Sequence, residues 1–429
     1  MTLILCLLCV MLMPFAAVGL GLIHAGLGRS RSAAHAVLGT ICALAVASIV
    51  FVLIGFSWSG FPGGAAHVFS VGGVAWNWIG AEPLFARGVH FDGNVNNLAG
   101  GLVLCFEMFA VGVAATLPIG AGTDRWRLSA LLISVALFAG ITWPLFTHWV
   151  WGGGWLARLG PMFQLGAGFV DAGGSGTIQA TGGLTALALA WLLGSRKGKY
   201  SGDGTPTAIP GHNIVAVLAG CVLALVGWLG MNSAGAMLFY GVGPARIPGI
   251  VINTMLAASA SALAALGMTR VRFGKPDASL IANGWVAGLA AGSAGCAFVP
   301  PGAAVVIGLV AGILVVFSVE LFEQKLFVDD PGGTVSVHAV GGIWGLLAVG
   351  LFVGSAPGMR GAQMLAQVVG VAALLGFVLP LTYGLNWLLD RVVTQRVDRD
   401  GDWQGMDIRE LGAGAYPEFV VHSDEFVPR

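Results

Sequence analysis

The sequence predicts an all-α polytopic membrane protein of eleven transmembrane helices, arranged as an inverted five-helix repeat plus an eleventh helix. Three observations predict it. The chain of 429 residues is 57% hydrophobic and only 9% charged, where a soluble domain carries about 25% charged residues. Apolar runs long enough to span about 30 Å of hydrocarbon recur along nearly the whole chain. A thirteen-residue motif occurs twice, as DAGGSGTIQATGG from Asp171 to Gly183 and as DPGGTVSVHAVGG from Asp330 to Gly342.

The apolar runs fall at roughly 3–27, 35–57, 96–121, 128–150, 173–194, 213–232, 248–268, 278–298, 302–322, 334–354 and 363–388. The first is too long for a signal peptide, lacks a basic leader and is followed at once by Arg29 and Arg31, so it reads as an uncleaved span. Residues 58–95 read as a long loop rich in Gly and Trp. The membrane domain covers residues 1–390, and residues 391–429 form a polar tail. The 68 glycines, among Leu, Val and Ala, suit helices that pack backbone to backbone. The six cysteines, Cys6, Cys9, Cys42, Cys105, Cys221 and Cys296, lie in or near the apolar runs and read as small fillers.

Lys and Arg set the orientation. Loops after the odd-numbered runs, with the tail, hold 16 of the 20 basic residues. The opposite side holds Arg87, Arg158, Arg246 and Arg360, which places the N-terminus outside and the tail in the cytosol of a cell (inner or plasma) membrane. The two motif copies then open helices running in opposite directions, the fifth and the tenth. Inverted repeats of this kind bring their functional groups together where the halves meet.

The motif matches Asp171 with Asp330 and Gln179 with His338. Asp171 precedes a helix and suits its N-terminal amides and dipole, with a second reading as support for a cation. Gln179 and His338, about two turns into their helices, are expected to face each other and line a pore. Polar side chains within spans are costly and functional by default, which also singles out Glu107 as a pocket residue or a buried neutral acid. His148 stands at the outer end of the fourth run. His24, His35, His67, His90, His212 and His422 read as residues of loops or span ends. Trp149, Trp151 and Trp155 lie in HWVWGGGW. They fit an interfacial belt equally with an open indole face that holds a small cation.

At these residues the chain resembles the ammonium transporter (Amt/Mep/Rh) family over about residues 10–418. The resemblance rests on HWVWGGGWL at 148–156, the Asp171 motif, GWLGMNSAG at 227–235, VINT at 251–254, NGWVAGLAAGSAGCAFV at 283–299 and VDDPGGTVSVHAVGGIWG at 328–345. Gly405, Asp407, Gly412, Ala415 and Tyr416 fit in the tail, while Leu411 and Ala413 stand where His and Glu are usual. The resemblance implies a homotrimer with one pore per subunit, an outer recruitment site, a phenylalanine gate and two facing histidines. It makes Trp151 the recruiting Trp, Asp171 the structural Asp and His338 the second pore His. Gln179 takes the place of the first pore His, Ala110 that of the outer gate Phe with Phe109 beside it, and Glu107 that of a Gln. Met231 replaces the second gate Phe, and Gly235 the Ser that bonds the recruited cation.

The expected function is ammonium/ammonia transport through a pore in each subunit, not an enzymatic reaction. The alternatives are an ammonium-binding sensor of the same fold with little conduction, and a channel for a neutral molecule such as carbon dioxide or water. The altered gate and Gln179 suit a sensor, and the lack of a kinase or cyclase domain by residue 429 weighs against one. The partners expected are ammonium or ammonia, the lipid membrane, further copies in a homotrimer and a cytosolic PII-type regulator on the tail. Zero net charge argues against nucleic acid. No cofactor or metal is expected.

Overall fold

The computed structural model describes residues 2–91, 98–354 and 359–416. Eleven helices carry the membrane domain: α1 Thr2–Leu27, α2 Ser30–Ser59, α3 Leu98–Gly122, α4 Leu128–Val150, α5 Ser175–Leu193, α6 Ile214–Tyr240, α7 Pro244–Phe273, α8 Ala278–Gly292, α9 Pro301–Gln324, α10 Val335–Phe352 and α11 Arg360–Val392. Ten are long and apolar enough to cross a membrane. The eighth has 15 residues and gives way to turns over residues 293–299, so the apolar run outlasts the helix. The segment 58–95 is not wholly irregular. It holds an antiparallel hairpin, β1 Ala66–Val71 and β2 Val74–Gly80, built from the alternation of Val, Phe and Trp that the Gly-rich composition obscured.

α5 and α10 cross at the centre, and their contact repeats the sequence repeat. Each begins with a π-helical turn, Ser175–Ala180 and Val335–Val340, a wide geometry that recurs at functional positions in helices. The glycine before each start, Gly174 and its counterpart Gly333, has φ of 87° and 65°, which side-chain-bearing residues rarely adopt. A side chain on Gly183 would strike the backbone of Ala339, and one on Gly342 would lie 3.0 Å from the amide nitrogen of Ala180. Ala180 and Ala339 are themselves counterparts in the motif. This reciprocity is what an axis between the two halves requires.

The tail packs back on the bundle. Asp407 accepts the amides of Ala34 and His35 at 3.2 and 2.7 Å and caps the first turn of α2. Asp402 accepts from the Lys197 amide and from Arg396, and Arg396 donates to the carbonyls of Leu193 and Ser195 at the end of α5. Beneath it, Arg196 grips Asp329 with two nitrogens and reaches Asp124 at 3.0 Å, while Arg125 donates to the carbonyls of Gly194 and Asp329. Burial alone would raise the Asp329 carboxyl, but Arg125 and Arg196 hold it well below the usual carboxylate range. These contacts lock the ends of α3 and α5 to the loop that opens α10.

Candidate functional site

Nδ1 of His338 donates to Oε1 of Gln179 at 2.8 Å. Both side chains are fully buried. They lie within the π-helical first turns of α10 and α5, one turn into each helix rather than two. The bond assigns the imidazole proton to Nδ1 and leaves the lone pair on Nε2. The amide nitrogen of Gln179 has no hydrogen-bond partner. A non-titrating amide thus holds a single titratable ring at the crossing of the half-repeats.

Asp171 and Asp330 do the same local work at the starts of these helices. Oδ2 of Asp171 accepts the amides of Gly176 and Thr177 and the Thr177 hydroxyl, at 2.7–3.0 Å. Oδ2 of Asp330 accepts the amide of Val335, the counterpart of Gly176, at 2.7 Å. Each carboxylate therefore satisfies donors that a helix start leaves open. The loop before Asp171 is held by Gln367, which bonds both the amide and the carbonyl of Val170 at 2.9 Å.

At the hairpin end, Trp151 is buried, with 1% of its surface exposed. The glycines after it do not leave an open indole face. Phe239 stacks on that face with ring centroids 4.6 Å apart and planes 2° from parallel, and Phe106 meets it edge-on at 5.5 Å. The indole N–H donates to the carbonyl of Asp171 at 2.8 Å, which ties this aromatic group to the start of α5. Where the sequence reading looks to Ala110 with Phe109 beside it, the phenylalanines against Trp151 are Phe106 and Phe239. Phe109 is only half-buried, and Ala110 lies in the apolar core. A side chain on Gly235 would strike the carbonyl of Ala172 and sit 3.3 Å from the Phe106 ring, so position 235 has no room for a serine. Met231 is fully buried in the main core.

Glu107 is buried beside this group. Its Oε2 accepts from the Ser59 hydroxyl at 2.9 Å, and its Oε1 has no partner. His148 contacts the Ser59 carbonyl at 2.7 Å and Asn77 Oδ1 at 2.8 Å. The Asn77 amide donates to Gly153, so the hairpin is stitched to the HWVWGGGW loop.

Sequence reasoning missed Phe106, Phe239 and His24. Phe239 stands one helical turn beyond Gly235, a spacing that puts both on one face. His24 stands in the last turn of α1, at a span end as the sequence suggests, but is buried, with 2% of its surface exposed. At the tail end, a cavity of roughly 330 Å³ is lined by Leu27, Asn283, Asp329, Asp330, Gly333 and Ser336, among others. Burial pushes the Asp330 carboxyl up to about 6, against the Val335 and Thr334 amides that hold it down.

This is a helical membrane protein of the inverted-repeat transporter class, with one buried polar pair where its halves cross. The model of the Ammonium Transporter Family matches residues 1–416, and the chain belongs to that family. It is 33% identical to the ammonium transporter Amt2 of Archaeoglobus fulgidus, over 98% of this chain and 89% of that one. It is 28% identical to the ammonium transporter of Bacillus subtilis, over 96% and 97%. Among solved structures it resembles one titled Sensor Amt Protein, with a TM-score of 0.85, 27% identity and coverage of 95% and 97%. It shares the fold of Candida albicans Mep2, with a TM-score of 0.77, 23% identity and coverage of 93% and 86%. Ammonium transport across the membrane is the function these relationships support, and the sensor reading is not favoured.

Proposed function

We propose that the chain moves ammonium by separating it, at the Gln179–His338 pair, into ammonia and a proton that travel apart. The observation that carries this reading is the 2.8 Å bond from His338 to Gln179. A desolvated ammonium ion at membrane depth is costly, whereas ammonia is neutral. With Nδ1 committed to Gln179, Nε2 of His338 is the acceptor that can take the proton.

In this reading Trp151 recruits the ion at the outer mouth. Phe106 and Phe239 close that mouth, standing in for the gate that Ala110, Phe109 and Met231 do not supply. Gly235 contributes no hydroxyl, and Glu107, next to Phe106 on α3, offers carboxyl oxygens held by the Ser59 hydroxyl. Asp171 supports the site from below by fixing the start of α5. The basic-residue asymmetry, 16 against 4 among the 20 in the chain, supports a hairpin outside and a docked tail in the cytosol of a cell membrane. Three copies assemble, each with its own pore, and the tail face accepts a PII-type regulator.

The test is an ammonium concentration jump on proteoliposomes adsorbed to a solid-supported membrane. The account expects a transient inward current that scales with ammonium and is absent with sodium. Alkalinisation of the lumen without any current would mean that ammonia crosses and the proton does not, and would overturn the proposal.

A further inference from the structure

His24, in the last turn of α1, is a second imidazole buried within the bundle. Its ring is buried and its Nδ1 has no hydrogen-bond partner. A methyl group built on Gly120 of α3 would lie 2.8 Å from Nε2 of His24 and would strike the Thr334 hydroxyl. His24 and Thr334 therefore face one point on α3. Thr334 Oγ1 is itself buried and unpartnered, and Thr334 immediately precedes α10, four residues before His338. On its other side His24 is one turn from Leu27, which lines the tail-end cavity with Gly333, Ser336 and Asp330. A line of buried polar groups thus runs from Gln179 through His338 and Thr334 to His24 and ends at a cavity with a carboxylate in its wall.

A hydrogen-bonding side chain buried without a partner destabilises the fold. Packing alone does not call for an imidazole here, because any apolar ring of that size would fill the space without the cost. The titratable groups facing His24 are His338 and, through the cavity, Asp330 and Asp329. The neighbouring faces of α2, α3 and α6 bring Thr40, Gly120 and Gly220, none of which ionises. Further along, Gly28 touches Asp124.

From this placement we infer that His24 takes the proton from His338 and passes it to the tail-end cavity, restoring the two-imidazole relay that Gln179 interrupts. The inference rests on the proposed separation of ammonia from its proton. Ammonium gives one proton to Nε2 of His338 and leaves as ammonia. The imidazolium of His338 gives that proton to the free imidazole nitrogen of His24 and returns to its starting form. His24 then releases it to the cavity, where the Asp330 carboxylate can accept it. One ammonium enters, and one ammonia and one proton leave.

The test compares native protein, His338→Ala, His24→Asn and His24→Gln in proteoliposomes. Ammonium-evoked current and stopped-flow alkalinisation are read on each, after size exclusion shows the native oligomer. His24→Asn is expected to cut the current about tenfold or more, as loss of a positioned proton acceptor does. Ammonia-driven alkalinisation should persist. His24→Gln, which keeps ring-like reach without titrating, provides the same reading if the Asn variant fails to fold. Native current in either folded variant, with current lost in His338→Ala, would overturn the role of His24 and leave the separation standing. Loss of alkalinisation together with current would make His24 a packing residue and overturn the inference. Native current that survives His338→Ala would overturn the separation, and this inference with it.

Discussion

The carbonyl of Asp171 accepts the indole N–H of Trp151 at 2.8 Å, so the residue that starts the central helix α5 also positions the aromatic group at its mouth. The Asp171 carboxylate, meanwhile, points the other way and holds Gly176 and Thr177. One residue couples the outer aromatic site to the turn that carries Gln179.

That coupling predicts an unequal cost for the two motif acids. Asp171→Ala removes an acceptor for three donors, whereas Asp330→Ala removes the acceptor of the Val335 amide. Losing a cap and leaving buried donors open costs at least about 2 kcal/mol for Asp171. In thermal unfolding of the detergent-solubilised protein, Asp171→Ala is expected to lower the midpoint more than Asp330→Ala. Equal shifts would show that the hydroxyl and second amide held by Asp171 add nothing.

Trp151 predicts a second pair of variants. Trp151→Leu should weaken methylammonium binding by about a factor of ten, the equivalent of a cation–π contact of about 1–2 kcal/mol. Phe239 covers the same indole face, so Phe239→Ala should bind as tightly as the native protein or more tightly. Weaker binding in Phe239→Ala, measured by calorimetry, would make the ring part of the recruiting surface and not its cover.

The acidic limb of stability follows from Asp329. Its folded value lies below the ordinary one because Arg125 and Arg196 flank it. Its contribution is therefore present above the unfolded value of about 4 and is lost as pH falls through the folded value. Unfolding midpoints should drop below about pH 4 in the native protein. In Asp329→Asn the midpoint is expected to be lower at neutral pH and to change less over the acidic range. A native-like acid slope in that variant would place the acid sensitivity elsewhere.

Much of the architecture was legible because its signals are one-dimensional. Apolar runs report spans, and the doubled motif reports the repeat and pairs Gln179 with His338 before any coordinates exist. Local chemistry was legible where it is set by neighbours in sequence, as at Asp171. The misses are of another kind. The three glycines after Trp151 leave a belt residue and an open indole face equally plausible from sequence, whereas its cover comes from Phe239 on another helix. Sequence order alone points to Ala110 and Phe109 and not to Phe106, whose contact with Gly235 and Trp151 is made across helices. His24 does stand at a span end, in the last turn of α1, but its sequence neighbours give no sign that its ring is buried. What makes it notable is the unpaired hydroxyl of Thr334 and the gap at Gly120, more than ninety residues away in sequence. The hairpin at 66–80 is hidden by its glycines: Gly72 and Gly73 form the turn, and Gly80 ends β2.

The central claim is that His338, held by Gln179, takes the proton from ammonium. The most direct measurement is the ammonium-jump current of His338→Ala beside native protein and Gln179→His, in proteoliposomes of matched protein content. The account predicts a current in the native protein, its loss in His338→Ala and an equal or larger current in Gln179→His, where a second titratable ring joins the pair. A robust native current that persists in His338→Ala would contradict it.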